Sequence, residues 1–172
     1  ENQFIAVIGE GLCAMNQCTA NEHGTWIGSL QTFEGTKGYW VQVQSDLTFS
    51  YDLTNLSEDV TSRLSTARVP VGYEYNQSTE QAFYFVIDAS IGGIPIEEGD
   101  WIAAFKGDLC VGARQWIGNY TDIPVMGDDG EEYSAGYMLP GEYPTFKIYK
   151  LSETNIYDAH PSQNVGFPQG LL

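Results

Sequence analysis

Short runs in which apolar and polar residues alternate constrain the fold of this chain more than any other feature. Tyr39–Val43 is the clearest alternating run, and Gln81–Asp88 and Trp101–Phe105 are largely apolar; all three are rich in aromatic and β-branched side chains. Gly, Asp, Asn or Pro residues close each run, as strand-connecting turns require. Strands at a spacing of about 8–12 residues with such turns are typical of a β-sandwich. The sequence therefore predicts an all-β fold.

The runs form two groups on either side of a segment of different composition. Residues 54–72 are rich in Ser, Thr, Asn and Glu, which predicts a linker or a long loop. We expect a small β module over 1–53 and an Ig-like β-sandwich module over 73–151. Residues 152–172 lose the strand pattern, and their Asn, His, Pro and Gly content predicts an extended tail that lies on the rest of the protein.

Two local features give further structural predictions. Residues 12–24 contain Cys13 and Cys18 among small and polar residues, which favours a loop. Gln81–Asp88 is apolar enough to predict a strand that is buried on both faces.

The net charge excludes some partners. The 172 residues include 23 acidic and only 7 basic ones, for a formal charge of −16. Nucleic-acid binding needs clusters of Lys or Arg, so we expect no nucleic-acid partner. No apolar run approaches the length of about 20 residues that spans a bilayer, so we expect no membrane span.

The cysteines and the sequons bear on the compartment. Cys13 and Cys18 are close enough in sequence for a small-loop disulfide, and two reduced thiols or half of a metal site are the alternatives. Cys110 lies in an apolar run and is expected to be buried. Asn55, Asn76 and Asn119 each begin an Asn-x-Ser/Thr sequon, so they are candidate glycosylation sites. Acidity and a high Tyr and Thr content favour an extracellular protein.

Longer stretches resemble a pair of modules from secreted, multi-module proteins of marine bacteria and from marine viral sequences. Ile8–Gly11, Trp26–Leu30 and Lys37–Val43 are similar to the first module, and Gln77–Phe85, Gly99–Ala113 and Ile123–Gly130 to its companion. The resemblance covers most of residues 5–150 and carries no assigned activity. It implies a secreted β-rich unit of a tandem or surface assembly, and no catalytic residues. The stretch from Cys13 to Cys18 departs from the pattern, which favours a local disulfide.

The resemblance also bears on assembly. The usual start of the module lies upstream of Glu1, so we expect the chain to begin part-way through a repeat. A neighbouring chain could then complete the unit by donating a strand. Self-association with neighbouring copies is the expected partnership.

Two acidic turns are candidates for binding Ca²⁺. Asp128, Asp129, Glu131 and Glu132 surround one glycine, and Glu97 and Asp100 belong to a second turn. Ca²⁺ prefers six to eight oxygen ligands on flexible loops, although neither turn has the EF-hand spacing. The alternative is solvated turns that keep the protein soluble. Otherwise we expect no cofactor.

The sequence has no arrangement that is typical of an enzyme. His23 and His160 are its only histidines, and neither accompanies a Gly-x-Ser-x-Gly motif or a zinc-ligand spacing. No Gly-rich stretch precedes a helical pattern, which excludes a phosphate loop. Nothing fixes a carboxylate pair in a cleft for glycoside hydrolysis. We therefore expect a non-enzymatic protein.

Tryptophans on strands give the alternative to a structural role. Trp40 shares one face of its strand with Gln42 and Gln44, and Trp116 ends another strand. Both side chains could stack on sugars, or they could pack against the rest of the protein. The sequence thus favours an extracellular structural or adhesive module, a subunit of a fibre, surface layer or virion, with a carbohydrate-binding module as the alternative.

Overall fold

The computed structural model confirms the all-β prediction. It describes residues 4–19, 22–35, 37–48 and 68–169. Within these ranges the regular structure is β-strand, with one turn of 3₁₀ helix at Glu132–Ser134 and no α-helix. None of the described residues forms a helix of the length and apolar character needed to cross a bilayer.

The first module is a four-stranded antiparallel sheet. Its strands are β1 (Phe4–Ile8), β2 (Cys13–Thr19), β3 (Glu22–Ile27) and β4 (Trp40–Val43), in the order β3-β2-β1-β4. Buried Val7, Ala14 and Leu30 form its small core, against which Tyr39 and Val41 pack. Among the described residues this core is small.

The second module contains three antiparallel sheets. Its strands are β5 (Gln81–Val86), β6 (Ser90–Ile91), β7 (Ile94–Pro95), β8 (Trp101–Lys106), β9 (Leu109–Gln115), β10 (Thr121–Met126), β11 (Thr145–Lys150) and β12 (Asn155–Ala159). The largest sheet has the order β12-β11-β8-β9, while β10 pairs with β5 and β6 with β7. Tight turns at Gly92-Gly93 and Gly107-Asp108 close two hairpins, as their positive-φ glycines allow.

One core joins the β10-β5 pair to the four-stranded sheet. Inward-facing side chains from both sheets belong to one cluster, which contains Ala82 of β5, Val125 of β10, Ile102 of β8, Val111 of β9 and Ile148 of β11. The two sheets therefore bury a shared interior, which is the arrangement of a two-layer β domain. The Ig-like topology stays a prediction.

At one side the two sheets nearly merge. A Cβ atom at Gly112 of β9 would overlap the carbonyl oxygen of Pro124 in β10. Only glycine therefore permits this approach of β9 to β10. The strands run in the order β12-β11-β8-β9 beside β10-β5. β9 and β10 therefore meet on one side of the domain, and β5 and β12 face each other on the opposite side.

The structure corrects two sequence predictions. Residues 12–24 do not form a loop, because β2 and the first half of β3 lie there and the two strands pair with each other. Residues 152–172 are not wholly an extended tail, because β12 lies within them and pairs with β11 over Phe146–Lys150. Most of the predicted linker, residues 54–67, and the sequon at Asn55 lie outside the described residues.

Polar side chains attach the first module to the second. Gln81 Oε1 accepts a hydrogen bond from Gly11 N (3.3 Å), and Gln81 Nε2 donates one to Gly9 O (3.2 Å). Ser29 Oγ donates to Asp122 Oδ2 at 2.7 Å, and Arg114 donates to Gly11 O. We call Gln81, Arg114 and Asp122, with Gly11 and Ser29, the module interface.

Candidate functional site

A cleft opens on the side where β5 and β12 face each other. Its volume is about 960 Å³. Two unbroken runs of the chain, residues 83–90 and 158–165, form its walls, and Tyr143 and Pro144 contribute to its lining. Because consecutive residues line each wall, the cleft follows the main chain of both segments. We call it the β5–β12 cleft.

Aromatic and aliphatic side chains form the floor of the cleft. The rings of Tyr84 in β5 and Phe146 in β11 pack edge to face, with centroids 5.7 Å apart. Buried Ile102 and Ile148 also line the cleft and belong to the shared core. The cleft thus reaches the edge of the hydrophobic core, so an apolar side chain entering it would leave water.

β5 is an edge strand among the described residues. It pairs with β10 from Gln81 to Val86, and the described part of the chain gives it no partner on its other side. An unpaired strand edge presents main-chain N–H and C=O groups that can pair with another chain.

The prediction that Gln81–Asp88 is buried on both faces is wrong. Ala82, Tyr84 and Val86 contact the shared core, but Phe83 and Phe85 are half-buried and Ile87 is 56% exposed. Ser29 of the first module contacts Asp122 on neighbouring β10, whereas Ile87 and Asp88 at the end of the run are exposed. A strand with apolar side chains on both faces therefore borders an open cleft.

The C-terminal segment is anchored beyond the cleft and crosses its far wall. Phe167 is 4% exposed; its N–H donates to Glu142 O (2.7 Å), and its carbonyl accepts from Gly141 N (2.8 Å). Nearer the floor, Tyr84 Oη donates to Val165 O at 3.3 Å. These contacts confine the tail to one wall of the cleft.

The rim of the cleft is polar and acidic. Asp88, Asp158 and His160 lie on it and are not buried. Four of the seven cations are in ion pairs elsewhere, namely Lys37, Lys106, Arg114 and Lys150. Lys147 lies over the Phe105 ring, 5.0 Å from its centroid. The described residues that line the cleft therefore include two carboxylates and no Lys or Arg.

The module interface contains a buried carboxylate. Asp122 is fully buried, and burial raises its pKa above the usual range, although Arg114 beside it acts in the opposite direction. Arg114 lies 3.3 Å from Asp122 Oδ2, whereas Asp122 Oδ1 has no hydrogen-bond partner among the described residues. The hydrogen bonds of this cluster to Ser29 and Gly11 attach the first module to the second.

Two of the four predicted Ca²⁺ ligands in the first acidic turn, Asp128 and Asp129, hold their own loop together, whereas Glu131 and Glu132 are exposed. Asp129 accepts five hydrogen bonds: from Thr79 N and Oγ1, Glu131 N, Tyr133 Oη and Ser134 Oγ. The bonds from Ser134 and Thr79 contribute most to holding the Asp129 pKa well below its usual range. Asp128 accepts from Gly130 N and Gly136 N.

The second acidic turn is similarly occupied. Asp100, only 2% exposed, accepts hydrogen bonds from Glu97 N, Leu151 N and Lys150 Nζ. Glu97 pairs with the same Lys150, at 2.7 Å. Within the described ranges, no three acidic, His or Cys side chains are grouped to hold a metal ion. The Ca²⁺ prediction therefore gains no support from these contacts.

The two candidate sugar-stacking residues differ in exposure. Trp116 is 6% exposed and belongs to the shared core, so the prediction that it stacks on a sugar is wrong. Trp40 is 46% exposed on β4, so its ring is accessible. A smaller apolar groove of about 360 Å³ lies on the same module, where Trp26, Leu30 and Phe33 line it.

The two described sequons place their asparagines at the surface. Asn76 and Asn119 are exposed, although Asn76 Nδ2 donates to Tyr133 O at 3.1 Å. The hydroxyl residues of these sequons, Ser78 and Thr121, are buried and hydrogen-bonded to Gly127 O and Gly118 O. Glycosylation at either site stays a prediction.

The predicted disulfide is wrong. Cys13 is a free, fully buried thiol, and it begins β2, the strand that also contains Cys18. Five residues of extended chain separate their Cα atoms by about 16 Å, whereas a disulfide needs about 4.4–6.8 Å. Cys110 is free and buried, as predicted.

Sequence reasoning missed the cleft itself. Asp88 and Asp158 are isolated acids in the sequence, and Tyr143 stands beside a proline in a turn. The one available signal was the apolar character of both faces of Gln81–Asp88, which indicated a missing neighbour.

Comparison with known proteins identifies no relative: no family model, curated protein or solved structure matches the chain.

Proposed function

We propose that this protein is a non-enzymatic extracellular structural or adhesive β module, a subunit of a fibre, surface layer or virion. The observation that carries the proposal is the open edge of β5 beside a cleft that reaches the core. Strand edges of this kind join protein chains by β-sheet addition. The acidic surface and the resemblance to secreted modules support an extracellular location.

Association between copies of such a module would involve surfaces other than the β5 edge, and charge would control it. Each copy carries a formal charge of −16, so neighbouring copies repel each other through water. At physiological ionic strength salt shortens that repulsion to about 8 Å. Association between copies is therefore expected to strengthen as salt or Ca²⁺ is added.

Light scattering after size exclusion, together with electron microscopy, tests this proposal. The expected result is a larger species whose fraction rises between low and physiological salt. A strictly monomeric protein at every salt and Ca²⁺ concentration, with no adhesion to a protein surface, would contradict the proposal.

Carbohydrate binding is the second candidate, and the 46% exposure of the Trp40 ring favours it. Exposed aromatic rings with nearby amides are suited to sugars, since the ring offers an apolar face. A glycan array tests it with the wild type, Trp40→Ala and, as a matched control on the same sheet, Trp26→Ala. Binding that only Trp40→Ala abolishes would support it, and silence on a broad array would remove it.

A further inference from the structure

We propose that the β5–β12 cleft binds an extended segment of a partner protein in which apolar residues alternate with Lys or Arg. The segment adds to the free edge of β5 as a further strand. The inference rests on the proposed function only in taking the occupant to be another extracellular protein.

The shape of the cleft favours an extended main chain. Its walls are the consecutive residues 83–90 and 158–165, and one wall includes the edge of β5 that has no partner among the described residues. A strand of about six residues is about 20 Å long, which matches Gln81–Val86 as a pairing partner. Main-chain hydrogen bonds to β5 would supply affinity, while side-chain pockets would supply specificity.

The cleft floor accounts for the apolar positions. Side chains of an added strand point alternately toward the core and away from it. Those that point inward would meet Tyr84, Val86 and Phe146, which already pack against the core. Burying apolar side chains there is favourable at about 25 cal/mol per Å².

The rim accounts for the basic positions. Asp88 and Asp158 lie on opposite walls, and neither forms an ion pair among the described residues. Only 7 of the 172 residues are basic, and four of them are in internal ion pairs, so a second copy is poorly suited to neutralise this rim. Charge complementarity therefore favours a different, basic polypeptide.

Peptide binding to the full chain tests the inference. The probe is a fluorescent seven-residue peptide of alternating Lys and Val, followed by anisotropy. A Glu-Val peptide of the same length is the charge control. Two further Lys-Val peptides carry N-methyl groups on alternate residues, one blocking each edge of the extended peptide.

The inference predicts three results. The Lys-Val peptide binds and the Glu-Val peptide does not. Methylation of one edge abolishes binding and methylation of the other edge leaves it, because a strand pairs with β5 through a single edge. The double variant Asp88→Asn/Asp158→Asn binds about fivefold more weakly, whereas the control Glu98→Gln/Asp108→Asn, with exposed acids outside the cleft, binds like wild type.

Other outcomes would overturn the inference. Equal binding of both N-methylated peptides would exclude strand addition, and equal binding of the Glu-Val peptide would exclude charge recognition. No binding of any peptide would also overturn it. Light scattering on the same samples tests the proposed function separately. A chain that assembles with salt but binds no peptide would overturn the inference and leave the proposed function standing. A monomeric, non-adhesive chain that binds the peptide would support the inference and contradict the proposed function.

Discussion

The Arg114 guanidinium binds Asp122 twice: Nε donates to the Asp122 carbonyl oxygen at 3.0 Å, and a terminal nitrogen lies 3.3 Å from Oδ2. The same guanidinium donates to Gly11 O in the first module. One side chain therefore neutralises a buried carboxylate and connects the modules. Substituting Arg114 should therefore change two measurable quantities, the free energy of unfolding and its dependence on pH.

Arg114→Met should lower the free energy of unfolding by about 3–5 kcal/mol, because it leaves the Asp122 carboxylate buried without a counter-charge. Chemical denaturation measures the loss. The control Arg114→Met/Asp122→Leu removes both charges and should recover part of the stability. If the double variant is no more stable than the single variant, the buried charge is not the cause.

The pH dependence of Arg114→Met follows from the raised pKa of Asp122. A carboxyl whose pKa is higher in the folded than in the unfolded protein favours folding below its unfolded value, and loses that advantage as pH rises through the folded value. The difference in the free energy of unfolding between wild type and Arg114→Met should therefore decrease as pH falls toward about 4. Denaturation curves between pH 4 and 8 measure it, and a constant difference would contradict the assignment.

Gly112→Ala should lower the free energy of unfolding by about 1–3 kcal/mol or more. The added methyl group would overlap the Pro124 carbonyl oxygen and push β9 away from β10. Thermal unfolding measures the effect. Gly35→Ala is the matched control, because a Cβ atom at Gly35 meets no atom within 4 Å.

Asp129→Asn should loosen the loop that follows β10, since the carboxylate accepts five hydrogen bonds there. The lowered pKa of Asp129 means that its contribution is present above the unfolded value of about 4 and is lost as pH falls through the folded value. The variant should therefore lose less stability on acidification than wild type. Asp108→Asn, in an exposed turn, should keep the wild-type acid dependence in melting experiments.

All three cysteines should be free thiols. Burial raises the pKa of Cys13 to about 12 and that of Cys110 to about 11, so both should resist alkylation in the native protein at neutral pH. Mass spectrometry after alkylation in denaturant, without a reductant, should count three modified cysteines. If only one cysteine is modified, the predicted disulfide between Cys13 and Cys18 would be supported after all.

The pattern of side chains along the sequence predicted those strands that are rich in aromatic and β-branched residues. Gln81–Val86, the hairpin on either side of Gly107 and the β11 strand are rich in aromatic and β-branched residues, and the structure confirms them. Cys13–Thr19 has mostly small and polar side chains and no turn motif of its own. Its strand conformation depends on pairing with β1, so tertiary context decides it.

The candidate site was beyond reach of sequence reasoning for a geometric reason. Its walls, residues 83–90 and 158–165, are far apart in the chain, and only the sheet topology brings them together. Trp116 and Trp40 have similar strand contexts in sequence, yet one is in the core and the other is exposed. Trp116 packs into the shared core of its own module, whereas Trp40 lies on an outward face of β4. Local alternation does not tell which side chain meets a core.

The topology also sets an order of events during synthesis. β5 ends at Val86, but its only described partner, β10, begins at Thr121, 35 residues later. Domains form from the N-terminus as the chain emerges at about 5–20 residues per second. Gln81–Val86 therefore leaves the ribosome some seconds before β10, its described partner, has been synthesised. The strand is therefore open to pairing with other chains first during synthesis, before β10 has formed.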